Sequence, residues 1–114
     1  MGVSVFRNTH DFFEFNRTDA LGKPIETTPQ ELYFTVKAKT SDEVVVFQKR
    51  LTAGDFVYMG DGVWRVTILP QDTANLAFGT YKCDVKVIDE LGFNFIIVAP
   101  TEFKVAEVVT TQGG

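Results

Sequence analysis

The chain has one cysteine, one histidine and one tryptophan in 114 residues. A single cysteine forbids a disulfide within the chain, so no covalent staple holds the fold. One histidine and one cysteine leave too few nitrogen and sulfur donors for a zinc site, which takes three or four such ligands. Long apolar runs are missing as well. "FIIVA" at 95–99 falls far short of the roughly 20 residues that a membrane-crossing helix needs, and no membrane partner is expected. No basic stretch followed by an apolar segment opens the chain, so no secretory signal is expected either. There is no run of lysine and arginine, and the net charge is −4. That balance repels a phosphate backbone and argues against nucleic acid as a partner. Internal repeats, low-complexity linkers and stretches of helical periodicity are all absent.

What is present is a period of two. In "ELYFTVKAK" at 31–39, Leu32, Phe34, Val36 and Ala38 share one face while Tyr33, Thr35, Lys37 and Lys39 take the other. "VWRVTIL" at 63–69 alternates the same way, with Trp64, Val66 and Ile68 inward. "TYKCDVKVI" at 80–88 does so again, with Tyr81, Cys83, Val85 and Val87 inward. Further strands are read at 11–17, 43–50, 93–99 and 102–109, the run at 93–99 being apolar enough to suit a strand covered on both sides. Turn residues separate them, and Gly60-Asp61-Gly62 suits a tight hairpin. "PQDTANLAFG" holds at most one helical turn, capped by Asp72 or Thr73. The expected fold is therefore all-β: a single antiparallel sandwich of seven to eight strands over residues 1–114, with a short polar tail at 110–114. A small barrel is the alternative. At this length a domain buries roughly 65% of its unfolded surface, enough for a core without staples.

Tyr81 stands two residues before Cys83, behind a turn that starts at Pro70. In immunoglobulin-type sandwiches a tyrosine so placed sends its hydroxyl back to nearby backbone and pins the corner. "LAFGTY" also resembles the leucine–glycine–tyrosine turn of fibronectin type III domains. Cys83 then reads as a small buried hydrophobe against Trp64, with a reactive or intermolecular thiol as the alternative.

A more specific resemblance rests on Phe34-Thr35-Val36-Lys37, Phe47-Gln48-Lys49, Pro70 with Asp72-Thr73, Leu76, and Gly79 with Tyr81 and Asp84. Over about residues 5–108 the chain resembles small domains encoded by phages and prophages, similar to the N-terminal domain of phage baseplate upper proteins. Members of that family often open with a basic residue followed by Gly-Asp, whereas this chain has "RNTHD" at 7–11. The resemblance implies an immunoglobulin-like module that assembles into or attaches to the virion, beside other virion proteins in symmetric copies. It implies no chemistry of its own.

The residues offer little to catalysis. His10 beside Asp11 has no nucleophile placed with it by any motif, so no catalytic residue and no cofactor is expected. Asp42-Glu43, Asp55, Asp61 and Asp89-Glu90 lie in loops but lack calcium-loop spacing, and they read as solvated turn carboxylates. "GDG" at 60–62 lacks the lysine and helix of a phosphate loop. "NRT" at 16–18 matches a glycosylation acceptor only by chance.

Phenylalanine is the surplus, with 11 residues. Phe12, Phe13 and Phe15, Phe56 with Tyr58, and Phe93 with Phe95 exceed what a small core needs and form the candidate interface. The competing reading packs them all inward. The expected function is a non-enzymatic structural protein of a phage tail or baseplate. The alternatives are a capsid decoration or head-fibre protein, or a carbohydrate-binding module using Tyr33, Tyr58 and Phe56 as its platform.

Overall fold

The computed structural model describes residues 2–39 and 44–107. Eight strands run through them: β1 (Val3–Phe6), β2 (Asp11–Asn16), β3 (Glu31–Lys37), β4 (Phe47–Arg50), β5 (Phe56–Gly60), β6 (Val63–Ile68), β7 (Gly79–Ile88) and β8 (Asn94–Ala106). A 3-10 turn (Leu51–Ala53) joins β4 to β5, and one helical turn, α1 (Pro70–Thr73), follows β6. The strands form two sheets, ordered β1-β8-β7-β3-β4 and β2-β6-β5. Neighbours pair antiparallel except β1, which runs parallel to β8 with Val3 opposite Phe103.

Alternation decides which side chains meet. On β3 the inward Leu32, Phe34 and Val36 are sealed from solvent, as are Val66 and Ile68 of β6 and Val85 of β7. Trp64 and Cys83 are also buried. Tyr81 is half-buried and packs on the margin of this core. Trp64 stacks on Tyr58 with ring centroids 5.0 Å apart, while the ladder neighbours of Cys83 are Val36 and Thr101. At the centre Phe34 touches Phe13, Phe47 and Phe103 at centroid distances of 5.5, 6.2 and 6.1 Å. These rings fill the interior that a disulfide would otherwise staple.

Three of the candidate interface residues belong to this interior. Phe13, Phe15 and Phe56 are buried, because the inward face of β2 and the start of β5 meet the five-stranded sheet. The eleven phenylalanines thus divide into five buried, Phe47 half-buried, and five exposed: Phe6, Phe12, Phe78, Phe93 and Phe95.

Three strand expectations also change. Residues 93–99 and 102–109 merge into β8, which runs through Pro100 because an edge strand tolerates a missing N–H. Two register shifts against β7 accompany this. The 93–99 segment is not covered on both sides: Phe93, Phe95 and Ile96 are more than half exposed. The expected strand at 43–50 is ordered as β4 only over Phe47–Arg50, and Glu43 lies outside the described residues. Residues 108–114, with the polar tail, lie outside them too.

The tight hairpin falls where the glycines put it. Asp61 and Gly62 have φ of 52° and 77° between β5 and β6, which matches the positive-φ pair of a two-residue turn. Gly62 is doubly constrained, since an added Cβ would lie 2.6 Å from the Arg17 carbonyl oxygen.

Polar groups lace the two sheets together on the β4–β5 side. Buried Glu31 accepts hydrogen bonds from the Leu32 and Thr52 amides at 3.0 Å each, from the Thr52 hydroxyl, and from Arg50 Nη2 at 3.2 Å. Burial by itself would raise the Glu31 pKa. The Thr52 hydroxyl, the two amides and the Arg50 charge outweigh it and hold the carboxyl below its ordinary value. Buried Lys49 reaches Asp72 at 2.6 Å, tying β4 to α1. Asp72 also accepts from the Leu69 amide at 2.7 Å, closing the first turn of α1. Thr73 is fully buried and takes the Asn8 amide at 2.9 Å. Tyr81 Oη then donates to the Ala77 carbonyl at 2.8 Å, so the corner that the sequence announced is pinned.

Candidate interaction surface

The turn end of the β7–β8 hairpin exposes four large apolar residues, and hydrogen bonds hold its base. Phe95 stands beside Val87 on one face and Ile96 beside Lys86 on the other. Asp89 Oδ1 accepts the Leu91 and Phe93 amides at 2.9 and 2.8 Å, and the Asp89 amide donates to the Phe93 carbonyl at 2.8 Å. Gly92 supplies the positive φ of 88° that the turn needs. Beneath it, the buried guanidinium of Arg17 donates to Glu90 at 3.1 Å and to the Thr27 carbonyl at 3.1 Å. The Thr27 hydroxyl donates to the other Glu90 oxygen. That hydroxyl first, and the guanidinium after it, hold the Glu90 carboxyl below its ordinary range despite partial burial. The loop at 19–30 is therefore fastened to the body of the domain, with Leu21 exposed at its tip.

On this base stand Leu91, Phe93, Phe95 and Ile96, exposed by 81%, 58%, 55% and 53%. No charged residue occurs from 91 to 101. Of the other three exposed phenylalanines, Phe12 and Phe78 lie under cations, and Phe6 is 55% exposed. Arg65 lies over Phe12 at 4.8 Å while its guanidinium also pairs with Glu14, and Arg7 lies over Phe78 at 4.1 Å. Among the described residues no guanidinium or ring is stacked on Phe93 or Phe95.

Of the seven candidate interface residues, the structure keeps Phe93 and Phe95 together and leaves Phe12 exposed on the outer face of β2. Tyr58 is half-buried and donates to Glu26 while accepting the Gly62 amide. Leu91 and Ile96 were not singled out from the sequence. The signal that finds them is the uncharged stretch 91–101 rather than its phenylalanines.

Next to the hairpin the sandwich is open. β2 and the upper part of β8 are both sheet edges, and clefts of about 250 and 300 Å³ lie between them, lined in part by Phe13 and Val98. The outer face of the five-stranded sheet is more polar. There a shallow groove of about 260 Å³ is lined by Tyr33, Thr35, Lys37 and Asp84 among others. Burial raises the Asp84 pKa, only partly offset by Lys37 and Lys86.

His10 is exposed. Cys83 is buried, and burial, with the neighbouring Asp84 charge, pushes its thiol up to about 11. Asp55 accepts the Arg50 amide and Asp89 closes its turn, while Asp42 and Glu43 lie outside the described residues. Among the described residues no three of histidine, cysteine, aspartate and glutamate stand together as metal ligands.

With β2 through β8 taken as strands B, C, C′, D, E, F and G, the two sheets are BED and C′CFG, with β1 added beside G. The protein is an immunoglobulin-like β-sandwich. No family model and no curated protein matches the chain. A solved structure of murine CRIg is similar over 92% of this chain and 92% of its own, at 17% identity and a TM-score of 0.44.

Proposed function

We propose that the chain is a non-enzymatic structural protein of a phage particle, an immunoglobulin-like module that assembles into or attaches to the tail or baseplate beside other virion proteins. The single observation that carries a docking role is the exposure of Leu91, Phe93, Phe95 and Ile96 around the hydrogen-bonded turn of the β7–β8 hairpin. Large apolar side chains exposed together at one end of a domain are a mark of contact sites. The phage assignment comes from the sequence resemblance over residues 5–108. The engagement of Glu31, Glu90, Lys49 and Asp72 in internal pairs is consistent with a domain selected for a stable shape.

A carbohydrate module loses part of its platform, because Phe56 is buried and Tyr58 is packed on Trp64. Tyr33 remains, with Arg50 and Lys86 beside its ring at 5.2 and 6.0 Å. Mass spectrometry of purified particles, followed by separation of heads from tails, tests the proposal. The chain is expected in the particle, in multiple copies, and in the tail fraction. Recovery with heads reassigns it to capsid decoration, and absence from particles ends the reading.

A further inference from the structure

We infer that β2 takes up one further strand: an extended segment of a different polypeptide, apolar at alternate positions, laid along the free edge of β2 so that it covers the upper part of β8. This surface lies beyond the hairpin turn proposed above and shares only Phe95 with it. It depends on neither that docking role nor the phage assignment.

The first support is the burial of three cross-strand pairs. Phe95, Val98 and Thr101 of β8 stand opposite Val87, Val85 and Cys83 of β7, so all six point to the core side of their sheet. The β7 members are sealed at 3%, 0% and 3% exposure, whereas Phe95 is 55% exposed and Val98 and Thr101 are half-buried. Further along β8, Phe103 and Val105 are sealed again. The opposing sheet ends at β2 and stops one strand short of the upper part of β8. In the four-stranded ABED sheet of constant-type immunoglobulin domains strand A lies in that place. Here β1 pairs with β8 instead, from Val3 opposite Phe103 onward, and clefts of about 250 and 300 Å³ border Phe13 and Val98.

The second is the state of the two edges. β2 pairs with β6 without a register shift from Asp11 to Asn16, and among the described residues no strand flanks its other side. Its outward backbone groups are an unbroken template for another strand. The β8 edge across the cleft is not. Two register shifts interrupt its pairing with β7, and Pro100 has no N–H to give. The incoming segment therefore pairs with β2 and packs on β8 through side chains.

The third is what the cleft admits. A strand on β2 turns every second side chain in between the sheets. There it meets Phe13, Phe95 and Val98, with no charged residue from 91 to 101, so these positions call for apolar groups. On the outer face of β2 the one charged residue is Glu14, in a chain of net charge −4, so the outward positions suit neutral or basic side chains. A second copy offering its own β2 fails on both counts. Its Phe13 and Phe15 are already buried in its own core, and the symmetric pairing that sets Phe13 against Phe15 also sets Glu14 against Glu14.

The test titrates the whole chain with a synthetic peptide of alternating valine and threonine, carrying a lysine at each end. Saturable one-to-one binding is expected, with a dissociation constant on the order of 100 µM or tighter. Hydrogen exchange at the β2 amides should slow by at least about tenfold on binding. A peptide of the same composition with its valines and threonines in separate blocks should bind about tenfold more weakly. Phe95→Lys and Val98→Lys should each weaken binding about tenfold, while Ile96→Lys, on the outer face of β8, leaves it unchanged. Phe95 is already more than half exposed, so its variant keeps the test open should Val98→Lys disturb the core. Unprotected β2 amides, equal binding of both peptides, or equal loss with Ile96→Lys overturns the inference. So does protection of β2 that grows with chain concentration in the absence of peptide, which makes a second copy the occupant. A chain that takes the peptide but is absent from particles sinks the phage reading alone, whereas a chain found in the tail fraction that takes no peptide sinks the added strand alone.

Discussion

The two flanks of the sandwich are built by opposite means. On one, the chain itself crosses between sheets from β4 to β5, and the crossing is tied by Glu31 to Thr52 and Arg50, by Asp55 to the Arg50 amide, and by Lys49 to Asp72. On the other, β2 and the upper part of β8 face each other as unpaired edges across a cleft, with apolar side chains beside it. A closed flank spends buried charge to fix one arrangement. An open one keeps apolar surface available to something outside the domain. Both flanks carry a crossing, since residues 7–10 lead from β1 into β2. But β1 covers β8 only from Phe103 to Ala106 and leaves the rest of that edge bare, whereas the β4–β5 crossing is tied by buried charge.

Substitutions should separate the flanks by the size and kind of their effect. Lys49→Ala leaves the Asp72 carboxylate nearly buried without its cation, and a loss of roughly 3–5 kcal/mol in urea unfolding is expected. A loss under about 1 kcal/mol would show that this lacing is ornamental.

Glu31→Gln comes next, at roughly 1.5–3 kcal/mol near neutral pH, because the buried carboxylate holds charge-assisted bonds. Its folded pKa lies below the ordinary value, so its contribution is full above that value and fades as pH falls through the folded one. The gap between wild type and variant should therefore shrink below about pH 4. A gap that widens in acid would contradict the assignment.

Tyr81→Phe removes the bond to the Ala77 carbonyl and should cost about 1 kcal/mol, read as a shift in the urea midpoint with an unchanged slope. On the open flank Ile96→Lys should change stability by no more than about 0.5 kcal/mol. A large destabilisation there would mean that β8 is part of the closed core after all. Cys83 offers a probe of the whole comparison: a thiol reagent at pH 8 should leave it untouched until the domain unfolds.

Legibility in the sequence followed the alternation of side chains. β3, β6 and β7 were readable because each buries one face and wets the other over six residues or more. β1 offered only "VSVF", too short to stand out, and it is a strand because β8 supplies a partner. β5 reads "FVYMG", in which the exposed Val57 and Met59 blur the period. Pro100 looked like a break between two strands, and an edge position made it harmless. The surplus of phenylalanine was visible, but not its division. Phe12 and Phe13 are neighbours in sequence and opposites in burial, and Phe56 looked like surface until the start of β5 met the five-stranded sheet.

What the residues determined by themselves was local: the extended segments, the corner tied by Tyr81, the Asp61-Gly62 turn and the lack of any covalent staple. These depend on side-chain period and backbone torsion, which neighbouring positions set. Only tertiary structure decided which edge stayed open and which apolar residues faced water, because exposure depends on the sheet that arrives from elsewhere in the chain. Val87 and Phe95 are cross-strand partners, yet one is buried and the other wet, and no reading of either segment alone tells them apart.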